Sequence, residues 1–379
     1  MKIVHIADLH IGRRLNDLSL LEDQRYVLNQ IIESLDTIKP HVLLIAGDVY
    51  DKANPSAEAF EVWNDFLTQL SHRSIHVLII SGNHDSQERL GVGRALFEEH
   101  DIYLVSHYTG SIPVVTLQDD LGPVHFHMIP YIKPSMVRNY YPEFTGTTFQ
   151  EAFEFIFQDL KINQEDRNVA IAHQFVIGNG TTPILSDSEI GPSVGGLDAI
   201  DASLFQKFDY VALGHIHRPQ AIGCETIRYA GSPLKYSFSE CMHTKQLPII
   251  DLDRDVAISF VELKPLRDVR ILKGPLQHLY ELGKEDRTED YIHAILTDDI
   301  IQGDALHKLR SVYQNLVSLD FDNARTSSKS SLSRATEILD QKPFDLFNAF
   351  FTTLNGRDFN QEESDIVKAM IDEIQEESL

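Results

Sequence analysis

Four short clusters of carboxylate, amide and imidazole side chains occur in this chain, each directly after an apolar segment. They are Asp8-Leu9-His10, Gly47-Asp48, Gly82-Asn83-His84-Asp85 and Gly214-His215-Ile216-His217. Two divalent cations roughly 3.5 to 4 Å apart can lower the pKa of bound water and clamp the attacking and leaving oxygens of a phosphodiester. Oxygen and imidazole donors are ligands that such cations accept. The clusters together predict a two-metal phosphoesterase site.

The apolar segments before these clusters have the composition of buried strands. They are rich in aliphatic and β-branched residues, they end at Gly or Asp, and they occupy residues 3–7, 42–46, 75–81 and 210–213. Residues 169–172 precede His173 in a similar way. Open α/β sheets gather their active sites at the carboxyl ends of their strands. We therefore predict an α/β fold in which these strand ends meet at one site.

Side chains at these strand ends form the predicted metal-ligand set: Asp8, His10, Asp48, Asn83, His173, His215 and His217. Asp48 is the predicted bridge between the ions, because a carboxylate can offer oxygen to both. Asp8 and His10 can turn toward one ion. His215 and His217 lie on the same side of the chain if strand geometry continues past the glycine before them, and they can then serve opposite ions.

Each pattern alone has a simpler structural interpretation. A lone His173 is more often a hydrogen-bonded core histidine than a ligand, and pairs such as D-x-H occur by chance. His125 and His127 form another such pair, and we interpret them as structural or surface residues because no Gly or Asp turn follows them. The joint occurrence of all the elements in order, each at a strand end and none with a thiolate, favours the metal site.

The same motifs resemble the signature of the calcineurin-like metallophosphoesterases, in which D-x-H, G-D-x-x-D, G-N-H-D and G-H-x-H follow one another. The finer sequence is similar to one branch, the SbcD family of bacterial nuclease subunits that work with the ATPase SbcC. The stretches that carry this similarity are IADLHIG at 6–12, AGDVYD at 46–51, SGNHDS at 81–86, AHQFV at 172–176, LGHIHRPQ at 213–220 and YAGSP at 229–233. The resemblance covers the whole chain.

The resemblance implies a fold, a site and an activity. The fold is a metallophosphoesterase β-sandwich flanked by helices in four layers, followed by a small α/β capping domain and C-terminal helices. The ligand set above would bind two Mn²⁺ ions, although Mg²⁺ or another divalent metal also fits. His84 would be the catalytic histidine that steadies the transition state or protonates the leaving oxygen. The activity would be a Mn²⁺-dependent DNA nuclease, with double-strand exonuclease and single-strand or hairpin endonuclease action in DNA end processing and repair.

Asp51 marks a departure from part of the family. Archaeal and eukaryotic relatives place a histidine three residues after the bridging aspartate, where this chain has Asp51. The wider family also uses aspartate at this spacing, hydrogen-bonded to the histidine of G-N-H. We therefore predict a catalytic dyad of Asp51 and His84, in which the carboxylate stabilises the imidazolium. The alternative is that Asp51 is only a turn residue.

The chain divides into three predicted parts. Residues 1–265 alternate strand and helix patterns and contain every predicted ligand, so they form the predicted nuclease domain. Residues 266–325 contain no ligand motif, and their pattern predicts strand, helix, strand and helix. By resemblance they form the capping domain that limits access of DNA. Residues 326–379 begin with a Ser-rich linker and continue with two amphipathic helices.

Protein and DNA partners are expected. The C-terminal helices carry an apolar stripe behind the linker, formed by Phe347, Phe350, Phe351 and Leu354, which favours docking on a partner helix over packing on the nuclease domain. By resemblance the partner is the coiled coil of an SbcC-type ATPase. The resemblance also implies a homodimer through helices near 56–66 and 89–97, which the sequence pattern alone assigns to core packing. The DNA substrates would be double-stranded, single-stranded and hairpin DNA.

Composition constrains these expectations. The formal net charge of −24 argues against strong unaided binding to DNA, so a partner would supply part of the electrostatic contact. Candidate phosphate contacts are Arg13, Arg14, Arg89, Lys133 and Arg218. Cys224 and Cys241 indicate no disulfide framework, and we find neither a signal peptide nor an apolar segment of membrane-spanning length. A cytoplasmic protein without a membrane partner is therefore predicted.

Two other functions fit part of the sequence. The ligand set alone also suits a metallophosphoesterase that acts on a small phosphodiester or a phosphoprotein, although such an enzyme has little use for a capping domain and C-terminal helices. A non-catalytic scaffold that tethers ATPase heads is the other alternative. A scaffold would be expected to have lost ligands, and every expected position is intact.

Overall fold

The computed structural model describes residues 1–178, 180–189, 197–299 and 303–322, together with single positions between 347 and 370. Its strands are β1 (Lys2–Ile6), β2 (Arg14–Leu15), β3 (Leu18–Ser19), β4 (Val42–Ala46), β5 (His76–Ile80), β6 (Ile102–Val105), β7 (Val114–Asp119), β8 (Gly122–Ile129), β9 (Arg167–His173), β10 (Val176–Ile177), β11 (Ile200–Asp201), β12 (Tyr210–Gly214), β13 (Gln220–Ile222), β14 (Cys224–Tyr229), β15 (Gln246–Leu252), β16 (Val256–Glu262), β17 (Val269–Gly274), β18 (Tyr291–Leu296) and β19 (Leu316–Phe321). Its helices are α1 (Leu21–Ile38), α2 (Ala57–Ser71), α3 (Gln87–Leu90), α4 (Arg94–Glu98), α5 (Pro134–Tyr140), α6 (Phe149–Gln158), α7 (Leu276–Asp286) and α8 (Ala305–Arg310). Short 3-10 turns lie at Ala202–Phe205 and Phe238–Glu240.

The apolar segments pair into two six-stranded sheets. The first has the order β16-β15-β1-β4-β5-β6, and its strands are parallel from β1 to β6. The second has the order β13-β14-β12-β9-β8-β7, and its strands are parallel from β14 to β8. Antiparallel pairs lie at the margins. The central parallel strands are buried on both faces, as their unbroken apolar sequences predict.

Apolar cores separate the layers of this sandwich. The core between the sheets includes Leu44 of β4 and Ile171 of β9. A second core packs α1 and α2 on the outer face of the first sheet, and a third packs α6 on the outer face of the second. Leu43 and Ile45 of β4 belong to the outer core while Leu44 between them belongs to the inner one, as the alternation of side chains along a strand requires. The predicted four-layer sandwich flanked by helices is confirmed.

One predicted helix is divided in two. The sequence predicts a helix near 89–97, but α3 and α4 are separate short helices in that region. Gly93 lies between them with a φ of +81°, a left-handed conformation that interrupts a right-handed helix. The interruption therefore follows from a glycine that the apolar pattern alone does not weigh.

The segment from β17 to β19 forms a separate sheet with its own core. β17, β18 and β19 are parallel, and Leu279 of α7 and Leu309 of α8 share a core with Ile292 of β18. We call this sheet with its helices the capping sheet. The prediction of strand, helix, strand and helix for this region is wrong in omitting β19. Its pairing with β18, rather than any strong local pattern, determines its conformation.

Asp23 on α1 joins the sandwich to the capping sheet. Its buried carboxylate accepts hydrogen bonds from the Arg267 guanidinium at 3.0 and 2.7 Å and from the Tyr291 hydroxyl at 2.8 Å. Lys235 and Asp268 form a second ion pair nearby, at 2.8 Å. A buried carboxylate bonded to two partners in the adjoining segment holds the two units in a defined orientation.

Asp23→Ala is expected to lower the melting temperature of the protein. The substitution leaves the Arg267 guanidinium, which is 17% exposed, and the buried Tyr291 hydroxyl without their partner. Loss of one partner of a buried pair costs roughly 3 to 5 kcal/mol, and the partial exposure of Arg267 places the effect at the lower end. Asp65→Ala is the matched control, because the Asp65 pair with Arg25 is exposed and such pairs contribute about 0 to 1 kcal/mol. Equal melting shifts in calorimetry would contradict the role of the junction.

The C-terminal predictions lie largely outside the described residues. The linker at 327–333 is not described, and positions with helical backbone are described at 347–348, 351–352 and singly between 361 and 370. Among these positions, the Phe359 ring lies 6.1 Å from that of Phe347 and 4.4 Å from that of Phe351. Asn360 and Glu363 exchange hydrogen bonds of 2.9 Å between side chain and backbone, as in a helix N-cap.

Candidate metal centre

The predicted ligands converge at one edge of the two sheets. β1, β4 and β5 are neighbours in the first sheet, and Asp8, Asp48 and Asn83 follow their carboxyl ends. β9 and β12 are neighbours in the second sheet, where His173 pairs with the last residue of β12. His215 therefore begins next to His173. The topology brings together ligands that are distant in the sequence, because parallel strands end at the same edge.

Two of the motif glycines are required by close approach of chain segments. A Cβ on Gly82 would lie 2.1 Å from Oδ1 of Asp48, and a Cβ on Gly214 would lie 2.0 Å from the carbonyl oxygen of Ala46. Any side chain at either position would displace a ligand or a strand end. The glycines of G-N-H and G-H-x-H are thus explained by lack of space.

Four of the predicted ligands have left-handed backbone conformations. The φ angle is +54° at Asp8, +43° at His10, +50° at Asp48 and +100° at His215. Residues with a side chain rarely adopt this conformation, and it persists at sites where the surrounding structure enforces it. Here it turns the chain sharply at the strand ends, where the side chains converge.

Asp8, His10 and His217 form the first half of the centre. Nε2 of His10 and Nε2 of His217 are 3.1 Å apart, and Asp8 has an oxygen within 4.8 Å of both side chains' ligand atoms. Oδ1 of Asp8 accepts the backbone N–H of His215 at 2.8 Å, but its buried Oδ2 has no hydrogen-bond partner among the described residues. Such an oxygen beside facing ring nitrogens is the environment that a cation satisfies.

Asn83, His173 and His215 form the second half. Oδ1 of Asn83 lies 3.0 Å from Nε2 of His173 and 3.0 Å from Nδ1 of His215. His173 donates its Nδ1–H to the Ala46 carbonyl at 2.8 Å. This hydrogen bond fixes the ring with Nε2 toward the centre, as is usual for metal-binding histidines.

Asp48 lies between the two halves. Its Oδ1 accepts the backbone N–H of His84 at 2.9 Å. Its Oδ2 lies 3.5 Å from Nε2 of His10 and 3.3 Å from Nε2 of His173. One carboxylate oxygen thus faces a ring nitrogen from each half, which is the geometry that a bridging ligand requires.

The buried donors change one another's protonation. Burial raises the pKa of Asp8 to about 7. Burial alone would lower the pKa of His173, but the nearby Asp48 carboxylate outweighs it and raises this pKa to about 9. Burial would raise the pKa of Asp48, and the His173 charge instead holds it well below its usual range. Burial lowers the pKa of His10 and lowers that of His215 to about 3. Neutral imidazole is the form that binds metals, so His10 and His215 are already in it.

His84 lies at the partly exposed side of the centre. Its ring centroid is 4.8 Å from that of His10, and it has a nitrogen within 4.8 Å of ligand atoms on His10 and Asp48. Its Nδ1–H donates to the main-chain carbonyl of Asp51 at 2.9 Å. The other ring nitrogen, Nε2, is therefore the atom with which His84 can reach a substrate.

The predicted contact between the Asp51 carboxylate and His84 is wrong. The carboxylate pairs with Arg13 at 2.7 Å and comes no closer than 3.7 Å to Nδ1 of His10. The motif spacing does bring Asp51 to His84, but through its carbonyl oxygen. The Arg13 guanidinium, a permanently charged donor, engages the carboxylate instead. The charge of Asp51 therefore does not support an imidazolium at His84 through a direct bond.

Residues that hold the ligand loops are less visible in the sequence. Asp85 accepts backbone N–H groups from the loop after β4 and the loop after β5, at 2.9 to 3.2 Å, and so ties these loops together. Gln24 donates to the His10 carbonyl at 2.7 Å and accepts the N–H of Gly12 at 2.9 Å. Asp85 belongs to the G-N-H-D motif and had a signal there, whereas Gln24 had none.

The remaining histidine pair lies apart from the ligand groups found in the described residues. On β8, Nε2 of His127 is 3.0 Å from Oδ1 of Asn168, and Nε2 of His125 is 3.1 Å from Oδ2 of Asp166. These contacts agree with the structural interpretation. Among the candidate phosphate contacts, Arg89 donates to Asn54 at 2.6 Å.

Sequence comparison assigns the chain to a family. The sequence model of the Calcineurin-like phosphoesterase family matches residues 1–219. The SbcD_C model, described as Type 5 capsule protein repressor C-terminal domain, matches residues 265–354. The SbcD component of the nuclease SbcCD from Staphylococcus epidermidis is 32% identical over 380 residues, which cover 98% of each chain. The chain belongs to the SbcD family. Members of this family are calcineurin-like phosphoesterases, so this SbcD-family chain is an enzyme whose site takes divalent metal ions.

Two solved structures overlap with this SbcD-family chain at low similarity. A dimetal phosphatase from Danio rerio has a TM-score of 0.43 and 11% identity, covering 70% of this chain and 98% of that one. An archaeal phosphodiesterase has a TM-score of 0.30 and 10% identity, covering 69% of this chain and all of its own, 100%. The family assignment rests on the sequence matches. Among the described residues, no helix combines the length and apolar character that a bilayer crossing requires.

Proposed function

We propose that this chain is the nuclease subunit of an SbcCD-type complex and that it cuts DNA phosphodiester bonds with two divalent metal ions. The observation that carries the proposal is the position of Asp48, whose Oδ2 faces a ring nitrogen from each half of the centre. The similarity to a relative named as a nuclease, over 98% of both chains, supports DNA as the substrate. Double-strand exonuclease and single-strand or hairpin endonuclease action are part of this proposal.

The proposed ligands divide into two sets that share Asp48. The first ion would be held by Asp8, His10, Asp48 and His217, and the second by Asp48, Asn83, His173 and His215. We assign Mn²⁺ to both positions, because the donors mix carboxylate and amide oxygen with imidazole. Mg²⁺ prefers oxygen donors and retains its waters, and thiolate ligands that would favour softer metals are not in the set.

When bound, the ions supply an activated water and offset the charge that develops on the phosphoryl oxygens. The protein's own contribution is placement and proton transfer. Asp48 sets the separation of the two ions. Nε2 of His84 can donate a proton to the leaving oxygen or a hydrogen bond to the transition state, while the Asp51 carbonyl holds the ring by Nδ1. The Arg13 guanidinium is placed at the same edge by the Asp51 carboxylate.

Metal binding is expected to strengthen as the pH rises. His173 has a pKa of about 9 and must be neutral to act as a ligand, so below that pH a metal ion displaces its proton. The apparent affinity should rise by up to roughly tenfold per pH unit for each proton displaced and should level off above the pKa. Calorimetric Mn²⁺ titrations at several pH values, in buffers of different ionisation enthalpy, measure the protons released. An affinity independent of pH would contradict the assignment of His173.

The family also suggests how the other parts of the chain act. The capping sheet would limit the DNA shapes that reach the metals. The C-terminal helices would dock the coiled coil of an SbcC-type ATPase, and Ile366 and Met370, which are 55% and 58% exposed, are spaced as on one helix face. We place the homodimer contact on α2 and the α3–α4 region, and the complex in the cytoplasm. The ATPase would supply the electrostatic contact to DNA that a net charge of −24 disfavours.

Deletion of residues 327–379 is expected to separate catalysis from assembly. The deleted region contains none of the proposed ligands, so hydrolysis of a generic aryl phosphodiester in Mn²⁺ should change little. Binding to the ATPase should be lost, because the apolar stripe of the C-terminal helices is removed. Co-elution of the truncated and full-length chains with the ATPase in size-exclusion chromatography measures this. Co-elution of the truncated chain would show that the docking site lies elsewhere.

The proposal is tested first by cleavage with the purified chain alone. A blunt duplex, a single-stranded hairpin and an aryl phosphodiester are incubated in Mn²⁺, Mg²⁺ or EDTA. Cutting of DNA in Mn²⁺ and its loss in EDTA are expected. If only the aryl phosphodiester is hydrolysed, the same DNA substrates are repeated with the ATPase and ATP. Intact DNA under both conditions would favour the second candidate, an enzyme for small phosphodiesters or phosphoproteins, which the same ligand set would serve.

A further inference from the structure

His217 is attached to a hydrogen-bond chain that leads away from the centre. Its Nδ1 is 2.6 Å from the hydroxyl oxygen of Ser188, and Ser188 donates to Oε1 of Glu240 at 2.6 Å. Because the Ser188 proton is directed to the carboxylate, the hydroxyl oxygen accepts from His217, and Nδ1 must carry a hydrogen. Nε2, which faces His10 at 3.1 Å, is then the nitrogen with the free lone pair.

Glu240 is itself held rigidly. Its side chain is fully buried, and besides Ser188 it accepts hydrogen bonds from Lys245 at 2.6 Å and from the backbone N–H of Tyr236 at 3.2 Å. Lys245 also donates to the carbonyl of His217 at 2.8 Å. The Glu240–Lys245 pair thus contacts both the main chain and, through Ser188, the ring of the same ligand. A buried ion pair with this many satisfied bonds fixes orientation, because no solvent is available to replace a lost contact.

The turn that carries Glu240 also contacts the capping sheet. Phe238 lies in the same 3-10 turn, and its ring is 5.1 Å from the ring of His293 on β18. His293 is held in turn by Asp320 of β19, at 2.7 Å. One short turn therefore has the capping sheet on one side and the Ser188–His217 chain on the other.

We propose that Glu240, acting through Ser188, is a positioning residue that keeps Nε2 of His217 directed at the first metal position, and that the capping sheet reaches this half of the centre through the same turn. This inference rests on the metal centre assigned under the proposed function. Its consequence is asymmetric, since no such chain contacts His173, whose ring is fixed by the Ala46 carbonyl instead. A shift of the capping sheet would then affect one ion more than the other.

The first test compares Ser188→Ala with Ser239→Ala by Mn²⁺ titration calorimetry of the full chain. Ser239 lies in the same turn as Glu240, but its hydroxyl contacts Asp187 and Ser237 instead. Ser188→Ala should weaken one of the two Mn²⁺ binding events by about 10- to 100-fold, while the other changes less. Ser239→Ala should bind as the wild type does. Hydrolysis of an aryl phosphodiester by Ser188→Ala should recover as the Mn²⁺ concentration is raised, which a general loss of stability would not produce.

Glu240→Gln is the second variant, and it should weaken the same binding event. Its melting temperature is measured alongside, because the change removes the charge opposite Lys245; if it does not fold, Ser188→Ala alone decides. His293→Ala tests the capping sheet, and a weakening of the same event by roughly 2- to 30-fold is expected. If His293→Ala binds like the wild type, the link to the capping sheet is wrong while the role of Glu240 stands.

The outcomes separate this inference from the function on which it rests. A wild-type chain that binds no pair of Mn²⁺ ions would overturn the metal centre itself. A wild type that binds two ions, with Ser188→Ala binding both as tightly, would overturn only the positioning role of Glu240. Equal weakening of both events in Ser188→Ala would also overturn it, since the hydrogen-bond chain contacts one half of the centre.

Discussion

Asp48→Asn is expected to remove DNA cleavage and to weaken the binding of both metal ions together. Oδ2 of Asp48 is the one ligand atom that faces nitrogens of both halves, at 3.5 and 3.3 Å. The amide has no negative charge to share between two cations, and it leaves His173 without its counter-ion. Two-metal stabilisation of the transition state is worth several kcal/mol, so the rate should fall by at least about 10³-fold.

The measurement pairs cleavage rates with Mn²⁺ titration calorimetry. Asp120→Asn is the matched control, because Asp120 lies exposed in the turn between β7 and β8 and the chemical change is the same. The control should bind two ions and cleave at the wild-type rate. If Asp48→Asn loses one ion and keeps the other at full affinity, Asp48 is a ligand of a single metal, and the bridging role passes to another carboxylate, for which Asp8 is the candidate.

The main features of the sandwich and of the ligand set could be predicted because they depend on local patterns joined by a general rule. Unbroken apolar segments predict buried parallel strands, and such strands place their carboxyl ends at one edge. His173 illustrates this, since it has no motif beyond the strand before it and still lies 3.0 Å from Asn83. The alternation of buried residues needed no knowledge of partners.

The remaining features depend on contacts between distant residues. Asp51 has the expected spacing, but whether its carboxylate or its carbonyl meets His84 is decided by Arg13, which belongs to another loop. Glu240 acts on His217 only because Ser188 lies between them. Neither outcome has a periodic or motif signal. The same holds for β19, which is a strand because β18 offers it a partner.

His84→Ala is expected to abolish most cleavage while both metal ions stay bound. The His84 ring is anchored through Nδ1 to the Asp51 carbonyl, which leaves Nε2 at the partly exposed side where a substrate would lie. Loss of a positioned general acid costs about 10²- to 10⁴-fold in rate. The backbone N–H of His84, which donates to Asp48 at 2.9 Å, is kept by alanine, so the ligand loop should be preserved.

Asn83→Ala is the informative comparison, because it changes the neighbouring residue on the same loop. Oδ1 of Asn83 is 3.0 Å from donor atoms of both His173 and His215, so its removal should weaken the second metal position selectively. Mn²⁺ titration and aryl phosphodiester hydrolysis of both variants then separate binding from catalysis. His84→Ala should bind two ions and stay slow at any Mn²⁺ concentration, whereas Asn83→Ala should recover as Mn²⁺ is raised. Loss of a metal ion from His84→Ala would instead make His84 a ligand, which its approach within 4.8 Å of the His10 and Asp48 donors would then explain.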